Sequence, residues 1–180
     1  MSIQAVENVM VDIETLGTSS DCVILSVGAC GYDRGGELKS FYEHIAIADS
    51  LDYGCQVDAD TLMWWFRQGE GARMAIVDGQ KKSLRLDTVL KDFAMWLATN
   101  FTDKFTIWSN GASFDIPILA NAFRKAGMNV PWKFWNERCF RTVKSIYSDI
   151  KPPVTETAHN ALDDAMNQLQ HLNLIIKAMA

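Results

Sequence analysis

Asp12-Ile13-Glu14 is the sharpest chemical feature of the chain. On an extended strand it would set two carboxylates on one face, about 7 Å apart along the strand. Such a pair repels unless a cation or hydrogen-bond donors compensate it. Gly17, three residues beyond Glu14, would let backbone approach a ligand closely. The same residues also read as a strand ending in solvated acids before a turn. A second acid, Asp115, closes the segment Asn110-Gly111-Ala112-Ser113-Phe114-Asp115. It stands where a strand passes into a helix with Pro117 in its first turn, so it either caps that helix or is aimed at the sheet edge. A third group, His159-Asn160-Ala161-Leu162-Asp163-Asp164, opens the last helical pattern. Acids in a first turn complement the helix dipole by ~0.3–1 kcal/mol, and periodicity does not choose between Asp163 and Asp164.

These groups need elements to hold them. Asn8–Glu14 and Val23–Tyr32 carry strand signals, and Phe41–Ile47 alternates after a Gly35-Gly36 turn. A helix capped by Asp58 or Asp60 is predicted to run through Leu62, Trp65 and Phe66 and to stop at Gly69 and Gly71. Leu86–Leu97 sets Leu86, Leu90, Phe93 and Leu97 on one stripe. Phe105–Trp108 reads as a short buried strand, Ile116–Ala126 as a helix ended by Gly127, Thr142–Tyr147 as a helix, and Ala161–Met179 as the closing helix. Three strands, helices, one strand and more helices make an α/β chain with a mixed sheet between helices.

Length and composition bound the rest. The 180 residues suit a single domain spanning 1–180, and 48% hydrophobic with 22% charged residues excludes a disordered or fibrous chain. No apolar run is long enough for a membrane span, and the first residues carry no secretory pattern. Cys22, Cys30, Cys55 and Cys139 form no CxxC pair and read as reduced core thiols of a cytoplasmic protein. The net charge of −5 argues against a broad basic surface for nucleic acid. With four acids gathered around cations, however, the remainder carries −5 − (−4) = −1, which is no obstacle to a phosphodiester.

Taken together, Asp12-Ile13-Glu14-Thr15, Asn110 through Asp115 and His159-x-Ala161-x-x-Asp164 resemble the three motifs of the DEDD superfamily of 3′–5′ exonucleases, histidine subclass. Asp12–Gly31 and the run Thr61-Leu62-Met63-Trp64-Trp65 look most like small phage and prophage members, the group around exonuclease A of T-even phages. The resemblance implies a ribonuclease-H-like fold with a five-stranded mixed sheet flanked by helices. It also selects Asp164, five residues after His159, over Asp163.

The implied activity is metal-dependent release of nucleoside 5′-monophosphates from the 3′ end of single-stranded or 3′-tailed nucleic acid, DNA favoured. An exoribonuclease that trims RNA is the alternative within the class, and a catalytically silent binding module the alternative outside it. Asp12, Glu14, Asp115 and Asp164 are the implied ligands of two Mg²⁺ or Mn²⁺ ions, hard cations suited to oxygen donors. His159 is the implied general base, with an ordinary pKa of about 6.5. Thr15, Leu16, Gly17, Asn110 and Phe114 are expected around the 3′ terminus. Trp64 is a candidate for base stacking, with Trp65 expected in the core. Arg138, Arg141 and Lys144 recur every three residues, so Arg141 is a candidate backbone contact on one helical face. Exposed aromatics such as Trp132 or Trp135 would suit a homodimer contact.

Overall fold

The strand Asn8–Thr15 (β1) lies at the centre of a five-stranded sheet of order β3-β2-β1-β4-β5. Its neighbours are Ile24–Tyr32 (β2), antiparallel to it, and Thr106–Ser109 (β4), parallel to it. Leu38–His44 (β3) and Glu137–Cys139 (β5) form the edges. The computed structural model describes residues 7–153 and 160–179.

Alternation along β1 divides its work between the two faces. Val9, Val11 and Ile13 enter one core cluster with Val89, Leu90, Phe93 and Leu97 of the helix Leu86–Asn100 (α4). The helix Asp115–Lys125 (α5) adds Ile116, Ile118, Leu119 and Phe123 to that cluster. Met10 faces the other way, into a cluster with Cys30, Leu169, Leu172 and Ile175, the last three from the helix Ala161–Met179 (α7). Asp12 and Glu14 share the parity of Met10 and therefore emerge under α7. A third, smaller cluster joins Leu16, Val23, Leu25, Cys55 and Trp65, the last from the helix Ala59–Phe66 (α2).

Asp12 pairs in register with Gly28 of β2, and Gly28 is where α7 comes down onto the sheet. A Cβ at that position would stand 2.2 Å from both the Ala161 carbonyl carbon and the Leu162 nitrogen. Only glycine allows this approach, so residue 28 sets the height of the α7 N-terminus above β1.

The structure corrects several expected boundaries. Gly69 does not end a helical region but caps Glu70–Lys81 (α3), and Gly71 lies inside that helix. Within α3 only Gly79 is fully buried, while half-buried Ala72 and Ile76 pack against the cluster that holds Trp65. Ile47 opens a short helix, Ile47–Asp52 (α1), rather than ending β3. Phe66, as the last residue of α2, lies beyond the cluster that holds Trp65 and is 59% exposed. The late helix, Phe140–Ile146 (α6), starts earlier than expected. Arg138 therefore belongs to β5, and only Arg141 and Lys144 share a helix. Trp132 is buried against Phe93 and Phe123, which removes it as a dimer contact, whereas Phe134 and Trp135 are exposed. Cys139 is half-buried, outside the core that holds the other three thiols.

Candidate metal centre

Asp12 and Glu14 emerge near the C-terminal end of β1, and Asp164 descends from the first turn of α7. Each offers a carboxylate oxygen, and the three oxygens lie within 4.8 Å of one another. Asp163, one residue earlier, is not in this group. The α7 N-terminus is fixed by Asn160, whose Oδ1 accepts from the backbone N–H groups of Leu162 and Asp163 at 3.0 and 3.2 Å. Asn160 Nδ2 in turn donates to the Tyr42 hydroxyl at 3.3 Å, tying the helix start to β3.

Asp115 is not among the three converging acids, but it lies near them, bound to the same strand and close enough for its charge to act on Asp12 and Glu14. Pairing between β1 and β4 covers Asn8 to Met10, after which β4 turns away into the loop before α5. The Ile13 N–H, left without a strand partner on that side, donates to Asp115 Oδ1 at 3.3 Å. A crevice where parallel strands part beyond their C-terminal ends is the usual site position in open α/β sheets. Asp115 is the first residue of α5 and only 4% exposed, so it both opens the helix and faces the cluster.

Protonation behaviour follows from this crowding. Burial, then the negative charges of Asp164 and Asp115, pushes Glu14 up to about 7. Burial raises Asp115 to about 6, against the pull of the Ile13 N–H, the Ser109 hydroxyl and the Arg141 guanidinium. Asp12 is raised well above its ordinary value, first by burial and then by Asp115, although Gln168 opposes the rise. Carboxylates gathered this closely, with Asp12 and Glu14 raised by burial and by their acidic neighbours, fit a site for divalent metal, and an all-oxygen donor set suits hard cations.

Gln168 is the participant that sequence reasoning missed. Its Nε2 donates to Asp12 Oδ1 at 2.8 Å, while its Oε1 is buried without a partner among the described residues. Its position four residues after Asp164 on one helix face was the available signal.

The expected substrate contacts fall into different settings. Thr15 and Leu16 are buried, and the Thr15 hydroxyl donates to the Gly17 carbonyl at 2.7 Å. The Thr15 carbonyl accepts from the Trp65 indole at 2.8 Å, so Trp65 braces the end of β1. A Cβ on Gly17 would meet Cys22 Cβ at 2.7 Å; the close approach this glycine permits is to its own chain. Asn110 is half-buried, and its Oδ1 has no partner among the described residues. Phe114 packs partly against the core. Trp64 is 41% exposed beside buried Trp65. Arg141 is exposed and lies so near Gly111 that a Cβ there would be 3.5 Å from its guanidinium. His159 lies outside the described residues.

Residues 7–176 match the family described as "3'-5' exoribonuclease Rv2179c-like domain". A curated relative, "Exodeoxyribonuclease" of Enterobacteria phage T4, is 25% identical over 156 residues, covering 74% of this chain and 68% of its own. Among solved structures, E. coli exonuclease I in complex with a dA16 oligonucleotide superimposes with a TM-score of 0.68 at 14% identity, over 96% of this chain. The zinc-bound form of its single-stranded DNA complex gives 0.69, also at 14% identity and over 96% of this chain. In both, the match spans 41% of the longer E. coli chain, so the likeness is one of fold. No described helix is long and apolar enough to cross a membrane.

Proposed function

The chain belongs to the 3′-5′ exoribonuclease Rv2179c-like domain family, and from that premise we propose that it removes nucleoside 5′-monophosphates from the 3′ end of single-stranded or 3′-tailed nucleic acid with two Mg²⁺ or Mn²⁺ ions. The observation that carries the reading is the convergence of Asp12, Glu14 and Asp164 oxygens within 4.8 Å, with Asp115 joined to the same strand through the Ile13 N–H.

Asp12, Glu14, Asp115 and Asp164 would hold the ions. Bound there, the pair would supply positive charge to the attacked phosphate and to the oxygens entering and leaving it. Gln168 keeps Asp12 oriented toward that position. His159, at the start of the third motif, is proposed as the base that takes the proton from the attacking water, help typically worth ~10²–10⁴-fold. Thr15, Leu16, Gly17, Asn110 and Phe114 are proposed to bound the pocket for the terminal nucleotide. Trp64 offers an exposed ring for a base, and Arg141, near Asp115, offers a cation for a phosphate.

DNA is the favoured polymer, in keeping with the name of the phage T4 relative; the family's own description favours RNA as a second reading. The deciding experiment supplies Mn²⁺ with uniformly labelled single strands of DNA and RNA in parallel. Mononucleotide release that is abolished by Asp12→Asn is the expected result, and the faster polymer names the substrate. No release from either would mean that the fold serves here as a silent binding module.

A further inference from the structure

The last turns of the described chain hold a cleft that the metal centre does not use. Helices α6 and α7 and the loop after α6 enclose about 530 Å³, lined among others by Arg141, Lys144, Lys151, Asn167, Gln168 and His171. That volume is in the range of ligand sites. In a chain of net charge −5, the described lining includes no Asp or Glu. Elsewhere on the surface, Lys39, Lys81, Arg85 and Lys91 each pair with a carboxylate. Among the described residues, Arg141, Lys144 and Lys151 form no ion pair. Lys144 instead sits 5.5 Å from the centre of the Phe140 ring, and Lys151 donates to the Ser148 carbonyl at 3.0 Å.

The cleft is continuous with the acid cluster through two residues. Gln168 lines it and also holds Asp12 at 2.8 Å, while Arg141 lines it and lowers the proton affinity of Asp115. Asp164, Gln168 and His171 follow one another along a single face of α7, which carries the path about 10 Å away from the metal centre. Its floor is rigid: the His171 Nε2 is 2.7 Å from the Ile150 carbonyl, and the ring meets Phe140 edge-on.

We propose that this cleft binds the phosphates immediately upstream of the scissile bond, so that the strand leaves the metal centre between α6 and α7 with Lys144 and Lys151 as its backbone contacts. The inference rests on the exonuclease reading for the polarity of the strand, with its 3′ end at Asp12 and Glu14. Phosphate contacts of this kind position a strand without reading its sequence.

The test pairs the double variant Lys144→Ala, Lys151→Ala with the double arginine variant as a charge-retaining control. In steady state with Mn²⁺, KM for a dodecamer is expected to rise about tenfold in the alanine pair, whereas KM for a dinucleotide, which has no upstream phosphate, shifts less than twofold. Equal rises for both lengths would overturn the proposal. Binding of a labelled dodecamer in EDTA gives an independent measure, because each lost phosphate contact lowers the slope of log K against log salt by about 0.7. The alanine pair is expected to lose about 1.4 and the arginine pair almost nothing. A slope unchanged in the alanine pair also overturns it. The salt slope needs no cleavage, so wild-type protein that releases no mononucleotide would sink the exonuclease reading while leaving the cleft measurable.

Discussion

Replacing Glu14 with glutamine is expected to stabilise the metal-free protein at pH 8 while weakening its response to metal. Glu14 is the acid whose proton affinity is set by burial and by Asp164 and Asp115, which move it from 4.5 to about 7. Its folded value exceeds its unfolded one. The favourable contribution is therefore complete below pH 4.5 and is lost as the pH rises through 7. That interval corresponds to about 3 kcal/mol, and screening at a half-buried position brings the working figure to roughly 1–3 kcal/mol. For a domain of this size, where 1 kcal/mol moves Tm by ~2–4 °C, the gain at pH 8 is on the order of 5 °C. Thermal melts from pH 4.5 to 8.5 in EDTA, and again in Mn²⁺, supply the comparison. The two proteins should coincide near pH 4.5 and separate steadily up to pH 8, with the glutamine variant the more stable. In Mn²⁺ the wild type should recover its deficit and the variant gain less. A glutamine variant less stable than wild type at pH 8 in EDTA, or a difference independent of pH, would refute the claim that the carboxylates repel one another in a desolvated cluster.

Gly28→Ala should destabilise the fold by ~1–3 kcal/mol in urea denaturation and abolish nuclease activity, since the added methyl collides with the α7 backbone; Gly69→Ala, in open space, should do neither. Gln168→Leu should raise the Mn²⁺ concentration needed for half-maximal thermal stabilisation by about 10–100-fold through loss of the Asp12 contact, and an unchanged midpoint would remove Gln168 from the site. His159→Ala should slow cleavage by ~10²–10⁴-fold with the Mn²⁺-induced stabilisation retained, and a wild-type rate would exclude it as the base.

The legible parts of the chain were those in which several residues repeat one message. Val9, Val11 and Ile13 alternate with Met10, Asp12 and Glu14, and both sets kept their parity in the sheet. The closing helix, with apolar residues at helical spacing throughout, has the predicted limits of Ala161–Met179. Elements held by few core contacts were not legible. Strand β5 has only three residues, with Arg138 exposed at its middle, and α3 lies on the surface between glycines that signal a stop as readily as a start. Gln168 escaped notice for another reason. A neutral amide on a helix announces nothing until folding places beside it the carboxylate it serves, 156 positions away in the sequence.

One strand furnishes both aliphatic residues of the main core and two of the three clustered carboxylates, on opposite sides of a single ribbon. A slip of one residue would drive Asp12 among the phenylalanines and turn Val11 toward the helix that carries Asp164. Misassembly of the acidic cluster thus coincides with failure to fold, so the ordinary clearance of unfolded chains also removes those in which the cluster is misbuilt.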